Sequence, residues 1–498
     1  MKLYLTCSVA IYLVISFGCS NKPDIFKNSN DDFKPVWGDT SEAADNDKGN
    51  DFNVPDDDDL SDEALAESDD DSVFYEEPDI EEQYFEDDVE IYDDFEVKDD
   101  FEIDDPFNMP DDDENDDDFS GTLCPPGQGG KDCKLCARYV VPTIKGDGSS
   151  LSWEHATASI QNAINSAQDQ ISKHGGRCSV FIKEGVYNIT ETVFMMDKID
   201  IIGGFSGEHA DPEFADPEIH PVILDGSGTS RVIAGASAAK LKNVTIQNGN
   251  AMNSSIKNGG GMIVFFAYDL KIENSKFIDN KAENGGAIFV GDYSDIKITD
   301  TFFENNQAQK EGGAVKIAEE SRANFDRTHY LNNSAEKGGA ISIESCGEER
   351  VYLFNSLFDK NSAHLKGGAI FNSGSSPFIG FNTFVNNSSY SGSVIHSSIG
   401  NEPYLAGNIF SQNSLSAPAT GNYLAFYNNF HSEHPFPEGT GNINLDPLFV
   451  DIKNRNYRLE SHSPSVDSVP LDLDFINYDL DGIPRPQNGI LDMGCYER

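Results

Sequence analysis

Basic residues are scarce. The chain has 35 Lys and Arg against 86 Asp and Glu in 498 residues, a formal net charge of −51. Neutralising phosphates needs a basic face, so this balance argues against nucleic acid as a partner. It argues equally against electrostatic docking on anionic lipid. Long apolar runs are also missing: beyond the first twenty residues nothing approaches the 18 apolar residues of a membrane-spanning helix. No phosphate loop, dinucleotide fingerprint or HExxH pair occurs.

What charge there is lies unevenly. Residues 31–120 hold 41 acidic side chains against Lys34, Lys48 and Lys98, a net −38, while residues 121–498 carry only −15. The acidic stretch includes Asp56-Asp57-Asp58-Asp59 and Asp111-Asp112-Asp113-Glu114, shows no sustained period, and has too little apolar content to offset chain entropy. It reads as disordered, a self-repelling and therefore extended tether. A calcium- or partner-binding tract is the other reading of its interleaved aromatics (Phe74, Tyr75, Tyr84, Phe85, Tyr92, Phe95, Phe101), but no D-x-[DN]-x-[DN]-G spacing supports a calcium loop there.

Before the tether, Lys2 and the apolar run Val9–Ile15 read as an export signal. The run ends at Ser16-Phe17-Gly18-Cys19-Ser20, and the small residue before Cys19 resembles the lipobox of bacterial lipoproteins, with Ser16 where that pattern usually has Leu. That resemblance implies lipidation of Cys19; the alternative is an ordinary secretory signal cleaved nearby. Six further cysteines follow: Cys124, Cys133, Cys136, Cys178, Cys346 and Cys495. In an exported chain they permit disulfides whose pairing stays open. Cys124 to Cys136 looks like a fragment of an EGF-like module; zinc would need a second pair to match Cys133-x-x-Cys136. A small disulfide knot is the reading preferred.

The chain then repeats itself. Gly-Gly-small-aliphatic recurs at Gly260, Gly285-Gly286, Gly312, Gly338 and Gly367, with a degenerate copy at Gly392, in steps of 25, 27, 26, 29 and 25. A second element, aromatic-x-x-Asn, ends at Asn280, Asn306, Asn333, Asn361, Asn387 and Asn413, advancing by 26, 27, 28, 26 and 26. Short β-prone runs separated by Asn and Gly fit three strands and three turns per repeat. Successive repeats would stack about 4.8 Å apart as rungs of a parallel β-helix. The Phe/Tyr set then stacks inside, the Asn set forms a ladder at one turn, and the glycines allow a corner that a Cβ would obstruct. Ile160, Ala163, Ile164, Ala167 and Ile171 form one face of a helix suited to cap an open end. Many prolines beyond Asn413 suggest irregular closure of the other end.

The Gly-Gly-Ala-Ile and Phe-x-x-Asn pairing is similar to the repeats of polymorphic outer membrane proteins, within the right-handed parallel β-helix (pectin-lyase-like) group. Flanking motifs extend the likeness, among them Gly203-Gly204-Phe205-Ser206-Gly207-Glu208 and the ending Asp479-Leu480-Asp481-Gly482-Ile483-Pro484-Arg485 with Asp492-Met493-Gly494-Cys495-Tyr496-Glu497. The resemblance implies an all-β, right-handed single-stranded parallel β-helix of about 26 residues per rung. The expected layout is a signal at 1–18, a lipid-anchored tether at 19–120, a Cys-rich segment at 121–137 and the β-helix at 138–498. Within the last, 138–250 is the N-terminal cap and first rungs, 251–415 the repeats and 416–498 the closure. The chain ends directly after the cap motif, so the expectation is an anchor by lipid alone, at the outer membrane or cell surface.

Such a fold implies no single activity. A lyase needs an Arg to take a proton beside calcium-holding carboxylates, and a glycosidase needs converging carboxylates. Arg322, Arg327 and Arg350 do not stand at an obvious stacked position beside paired Asp. Asp292, then Glu319 and Glu320, then Glu344 follow successive Gly-Gly strands and are the candidate carboxylates, against the plainer reading of a solvated turn edge. His364 and His396 stand near rung corners without an identified partner. Asp479-x-Asp481-Gly482 echoes a calcium loop whose remainder does not follow. No catalytic residue, metal ligand or cofactor is assigned. A non-catalytic binding or structural module, contacting polysaccharide or another cell surface, is the reading carried forward. A displayed polysaccharide lyase or glycoside hydrolase is the alternative.

Overall fold

The computed structural model describes residues 135–144, 146–208, 214–318, 320–344, 351–390, 394–398, 402–413, 417–471, 473 and 476–498. The signal, Cys19, the acidic tether, Cys124, Cys133, Glu319, Cys346, Arg350 and Gly392 lie outside them. Among the described residues the chain winds as a parallel β-solenoid, with sheets of eleven, ten, nine and five strands, here faces A, B, C and D. Each central turn visits all four. Leu270–Glu273 lies on A, Lys276–Ile278 on B, Lys281–Asn284 on D and Ile288–Gly291 on C, before Asp295–Thr299 returns to A. The expected three strands per turn are therefore four. Strands such as Lys281–Asn284 escape a periodicity reading because they bury only Ala282.

Superposition of equal positions makes the core. Phe277, Phe303, Tyr330, Phe358, Phe384, Phe410 and Phe430 stack on face B with ring centroids 4.5–5.3 Å apart, each at most 1% exposed. Offset rings at this distance add to burial about 1 kcal/mol per pair. The B-to-D corner carries the asparagine ladder. Asn306 Nδ2 donates to Asn333 Oδ1 at 3.0 Å and to the Phe277 carbonyl at 2.9 Å, and Asn333 repeats this toward Asn361 and Phe303. Every amide proton and oxygen inside the corner is thereby used, which is why Asn suits it. A second ladder at the A-to-B corner, Thr328, Ser356, Asn382, Asn408, Asn428 and Asn442, follows the same logic. Its mixed Thr, Ser and Asn composition hides it from a motif search.

The glycine register shifts by one in the first copy. Met262 pairs with Ile288, so Gly259-Gly260-Gly261 aligns with Gly285-Gly286-Ala287. Gly259, Gly285, Gly312, Gly338 and Gly367 all hold φ between +61° and +67°, where a side chain costs about 1–2 kcal/mol. At Gly286 a Cβ would come within 2.2 Å of the Gly313 carbonyl oxygen on the next turn.

The two ends close differently. The helix Ile160–His174, N-capped by Ser159, buries Ile160, Ala163, Ile164 and Ala167 in the core of the first turns. Cys136 and Cys178, paired in the A-face register, form a disulfide with Cα atoms 4.5 Å apart. At the far end Phe436 stacks on Phe430 and Asn442 extends the ladder. The remaining residues do not lie across the opening. Phe449, Tyr457, Leu459, Val469, Leu491 and Met493 pack instead on the outward side chains Tyr352, Phe354, Phe378, Phe381 and Ile409 along the flank.

Candidate functional site

Faces C and D meet at the paired glycines, and their outward side chains touch across that corner, Lys316 on Glu311 and Lys337 over Phe371; the re-entrant edge they define along the solenoid is called the groove. Its floor is one outward row of face C, read turn by turn as Phe194, Ala234, Ile263, Phe289, Lys316, Ser342, Phe371, His396 and Thr420. The inward neighbours of this row, such as Ile288 and Val315, belong to the core. The turns leaving face C form one rim. Asn284, Glu311, Lys337 and Lys366, at the ends of the D strands, form the other.

The row divides into three parts. The first is aromatic. Ile263, Phe265 and Phe289 form a small cluster of their own, and the rim adds Phe266, Tyr268 and Tyr293, which are 57%, 61% and 64% exposed. Phe266 and Tyr293 stack with centroids 6.4 Å apart, and both sit at positive φ (+53° and +55°). Bulky residues rarely adopt that region, and such strain collects at ligand sites. The middle part is charged. Lys316, 3% exposed, places Nζ 2.5 Å from Glu311 Oε2 and 2.8 Å from Glu344 Oε2. Lys337 Nζ lies 3.2 Å from Glu311 Oε1, and Ser342 Oγ donates to Glu311 Oε2 at 3.1 Å. Burial pushes the Glu311 carboxyl up, but the Lys316 and Lys337 ammoniums outweigh it and hold the pKa below the usual carboxylate range. The third part is cationic and aromatic: Lys337 Nζ stands 5.1 Å over the Phe371 ring, and His396 lies parallel to Phe371 at 5.7 Å.

Glu311 and Glu344 share one ammonium, so their oxygens stand no more than about 5 Å apart, near the carboxylate spacing of retaining glycosidases. Hydrolysis also needs one carboxyl to keep its proton and give it to the leaving group. The ammonium between the two holds Glu311 as the anion, so the trio is built to hold charge in place.

These turns have known counterparts. Residues 300–317 and 355–373, each running from the A-to-B corner through the glycine pair to face C, match the Chlamydia polymorphic membrane protein repeat. The chain carries polymorphic membrane protein repeats. They are wound as a parallel β-solenoid and fit a surface protein of that type. The polymorphic membrane protein family is associated with the outer membrane or cell surface, in agreement with export of this chain. No curated protein matches the sequence.

Along the solenoid the expected site residues separate. Glu344 joins the Lys316 trio, whereas Asp292 is an exposed residue on the turn after Ile288–Gly291. Lys316 and Glu311 went unrecognised. Their signal is a lysine in a row otherwise apolar or small apart from His396, facing an acid directly before Gly312-Gly313. Arg327 corrects the reading that no arginine stands beside paired aspartates, since it grips Asp300 through two bonds of 2.7 and 2.9 Å and also contacts Asp326. Burial alone would lower its pKa, but Asp300 and Asp326 raise it, so Arg327 is no proton acceptor. His364 and His396 do have partners: His364 stacks on Tyr390, and His396 lies within the strand Ile395–Ser397, bonded to Thr420.

The aspartate loop is likewise structural. Both Asp479 oxygens accept backbone N–H groups, from Asp481 and Ile483 on one side and Glu497 on the other. Asp481 pairs with Arg458. Among the described residues no three His, Cys, Asp or Glu side chains converge where a metal ion could sit, and no described helix is long and apolar enough to cross a membrane.

Proposed function

We propose that this chain is a non-catalytic glycan-binding module displayed at the cell surface, held there by a lipid on Cys19 and the acidic tether. The observation that carries the reading is the strained, exposed aromatic strip of Phe266, Tyr268 and Tyr293 beside a groove whose polar groups are fixed in advance. Exposed apolar patches on folded domains mark interaction sites. Aromatic faces suit the apolar faces of sugar rings, and a row spaced by the β-solenoid repeat suits a linear polymer. A displayed polysaccharide lyase or hydrolase is the competing reading; the ammonium between Glu311 and Glu344 speaks for binding.

Purified chain is screened against neutral and acidic polysaccharides, with and without Ca²⁺. Binding is expected, weakened about tenfold or more by Phe266→Ala with Tyr293→Ala, without release of oligosaccharide product. Product release abolished by Glu344→Gln or Glu319→Gln would replace binding by catalysis. Palmitate labelling is expected in cells and lost in Cys19→Ala; labelling that survives the substitution removes the lipid anchor.

A further inference from the structure

The third part of the groove differs from the first in the charge it presents. Lys366 Nζ lies 3.5 Å from His396 Nε2, and His396 Nδ1 lies 2.8 Å from Thr420 Oγ1. An ammonium can only donate, so Nε2 is the acceptor and the neutral ring carries its proton on Nδ1, donated to Thr420. Lys337 stands one turn before Lys366 in the same register and already satisfies Glu311. Among the described residues no carboxylate pairs with Lys366 or His396. Burial and the Lys366 ammonium both hold His396 below its ordinary pKa, the electrostatic mark of a cation without a counter-charge.

This is an unusual place to leave positive charge. Residues 121–498 carry a net −15, and on a sheet, facing cationic groups without a neutralising partner are destabilising. Phe371 supplies a ring beneath the pair, parallel to His396 within 1°. A ring flanked by Lys337, Lys366 and a histidine offers an apolar surface for a sugar and donors for a charged substituent on it.

We infer that the Lys337–Phe371–Lys366–His396 end of the groove receives the anionic groups of an acidic polysaccharide, while the Phe266–Tyr293 end receives uncharged sugar faces. The inference rests on the glycan-binding reading and adds a substrate class and a direction along the groove. Carboxylate and sulfate substituents share the required chemistry.

The test measures full-length chain binding to three polymers: polygalacturonate, dextran sulfate and unsubstituted dextran. Lys366→Glu should weaken binding of at least one polyanion about tenfold or more, because a charge-assisted hydrogen bond becomes a repulsion, and should leave dextran unchanged. Lys366→Gln should give a smaller loss, and added salt should weaken polyanion binding in the parent chain alone. The polymer affected identifies the substituent. Unchanged polyanion binding in folded Lys366→Glu, or polyanions that do not bind at all, overturns the inference. If dextran binding is meanwhile lost in Phe266→Ala with Tyr293→Ala, the glycan-binding reading survives that failure. If the aromatic variant changes nothing for any polymer, the wider reading fails too.

Discussion

Among the described residues four aromatics stand at solenoid corners with positive φ, and they meet opposite fates. Phe381 and Tyr427, in the last turns, are covered: Phe381 is fully buried under the Arg485 guanidinium, 4.8 Å from its ring, and Tyr427 packs with the C-terminal segment. Phe266 and Tyr293, in the first repeats, remain more than half exposed. The backbone strain is the same in kind, φ between +53° and +56°, and at Phe381 burial offsets it. At Phe266 and Tyr293 the rings stack on each other and stay largely open to solvent. The covered pair, at the A-to-B corner, shows what a left-handed aromatic residue is good for, which is presenting a ring for another surface to sit on. The exposed pair, at the turns from face C to face A, presents a ring outward from a different corner by the same backbone device.

The comparison is broken most forcefully by uncovering the first pair. Arg485 and Glu497 form a salt bridge of 3.0 Å between side chains 0% and 1% exposed, and Arg485 also donates to Asn355 and to the carbonyls of Asp492 and Gly494. Arg485→Ala leaves a buried carboxylate uncompensated and strips the cation from Phe381. The expected loss is about 3–5 kcal/mol, read by denaturant unfolding. It should come with faster hydrogen exchange in residues 446–498 and in the outer strands they cover. Unfolding without early exchange of that segment would show that it is no separable cover.

Beneath the differing exteriors the interior ladder should be uniform. Asn306, in the bare half, and Asn361, in the covered half, are both 0% exposed, and each donates to a ring-residue carbonyl and to the next asparagine. Alanine at either position orphans buried partners and should cost about 2–3 kcal/mol, similar at the two sites because their burial and partners match. Asn413 ends the row half-buried, with a single donated bond to the Phe384 carbonyl, and should cost less. A marked inequality between Asn306 and Asn361 would mean that the cover stabilises the core it sits on.

That interior was legible in the sequence because identical positions superpose in a solenoid, so the Phe/Tyr and Asn sets announce themselves as repeats. Contacts between faces were not legible. Glu311 and Lys316 are separated by the glycine corner, and pairing them requires knowing that D and C strands fold toward each other there. The docked flank left a trace that spacing alone overlooks. Leu270–Glu273 alternates buried and half-exposed residues, whereas all four residues of Val351–Phe354 are buried. A strand apolar on both sides needs a second surface, and residues 446–498 supply it without any period of their own.

His329 marks the border of the covered region and sharpens the comparison through pH. It stacks on Phe302 at 4.0 Å, and burial pushes its pKa down to about 4, with Asp481, Arg455 and Asp300 adding smaller influences. Unfolded, the imidazole titrates near 6.5, so below that pH the unfolded chain takes up a proton the folded one refuses. Its contribution is complete above pH 6.5 and is lost as pH falls toward 4. Between pH 6.5 and 5 the loss should be about 1–2 kcal/mol. His329→Phe keeps the stack and should flatten this slope in urea titrations at several pH values. An unchanged slope would place the acid sensitivity among the carboxylates of the docked segment.

The smallest effect carries the clearest sign. Tyr293→Gly removes a side chain 64% exposed from a backbone at φ +55°. Relief of left-handed strain is worth about 1–2 kcal/mol, against about 0.5–1 kcal/mol for the extra freedom glycine has when unfolded. Little burial is lost, and loss of the stack on Phe266 takes back part of the gain, so a net gain of about 0.5 kcal/mol or less is expected, together with weaker glycan binding. At Phe381 the same substitution should cost about 3 kcal/mol, because burial dominates there. A stabilised, binding-deficient Tyr293→Gly would identify the strain as the cost of function rather than of folding. A destabilised variant would make Tyr293 part of the scaffold, and the likeness between the two pairs would fall.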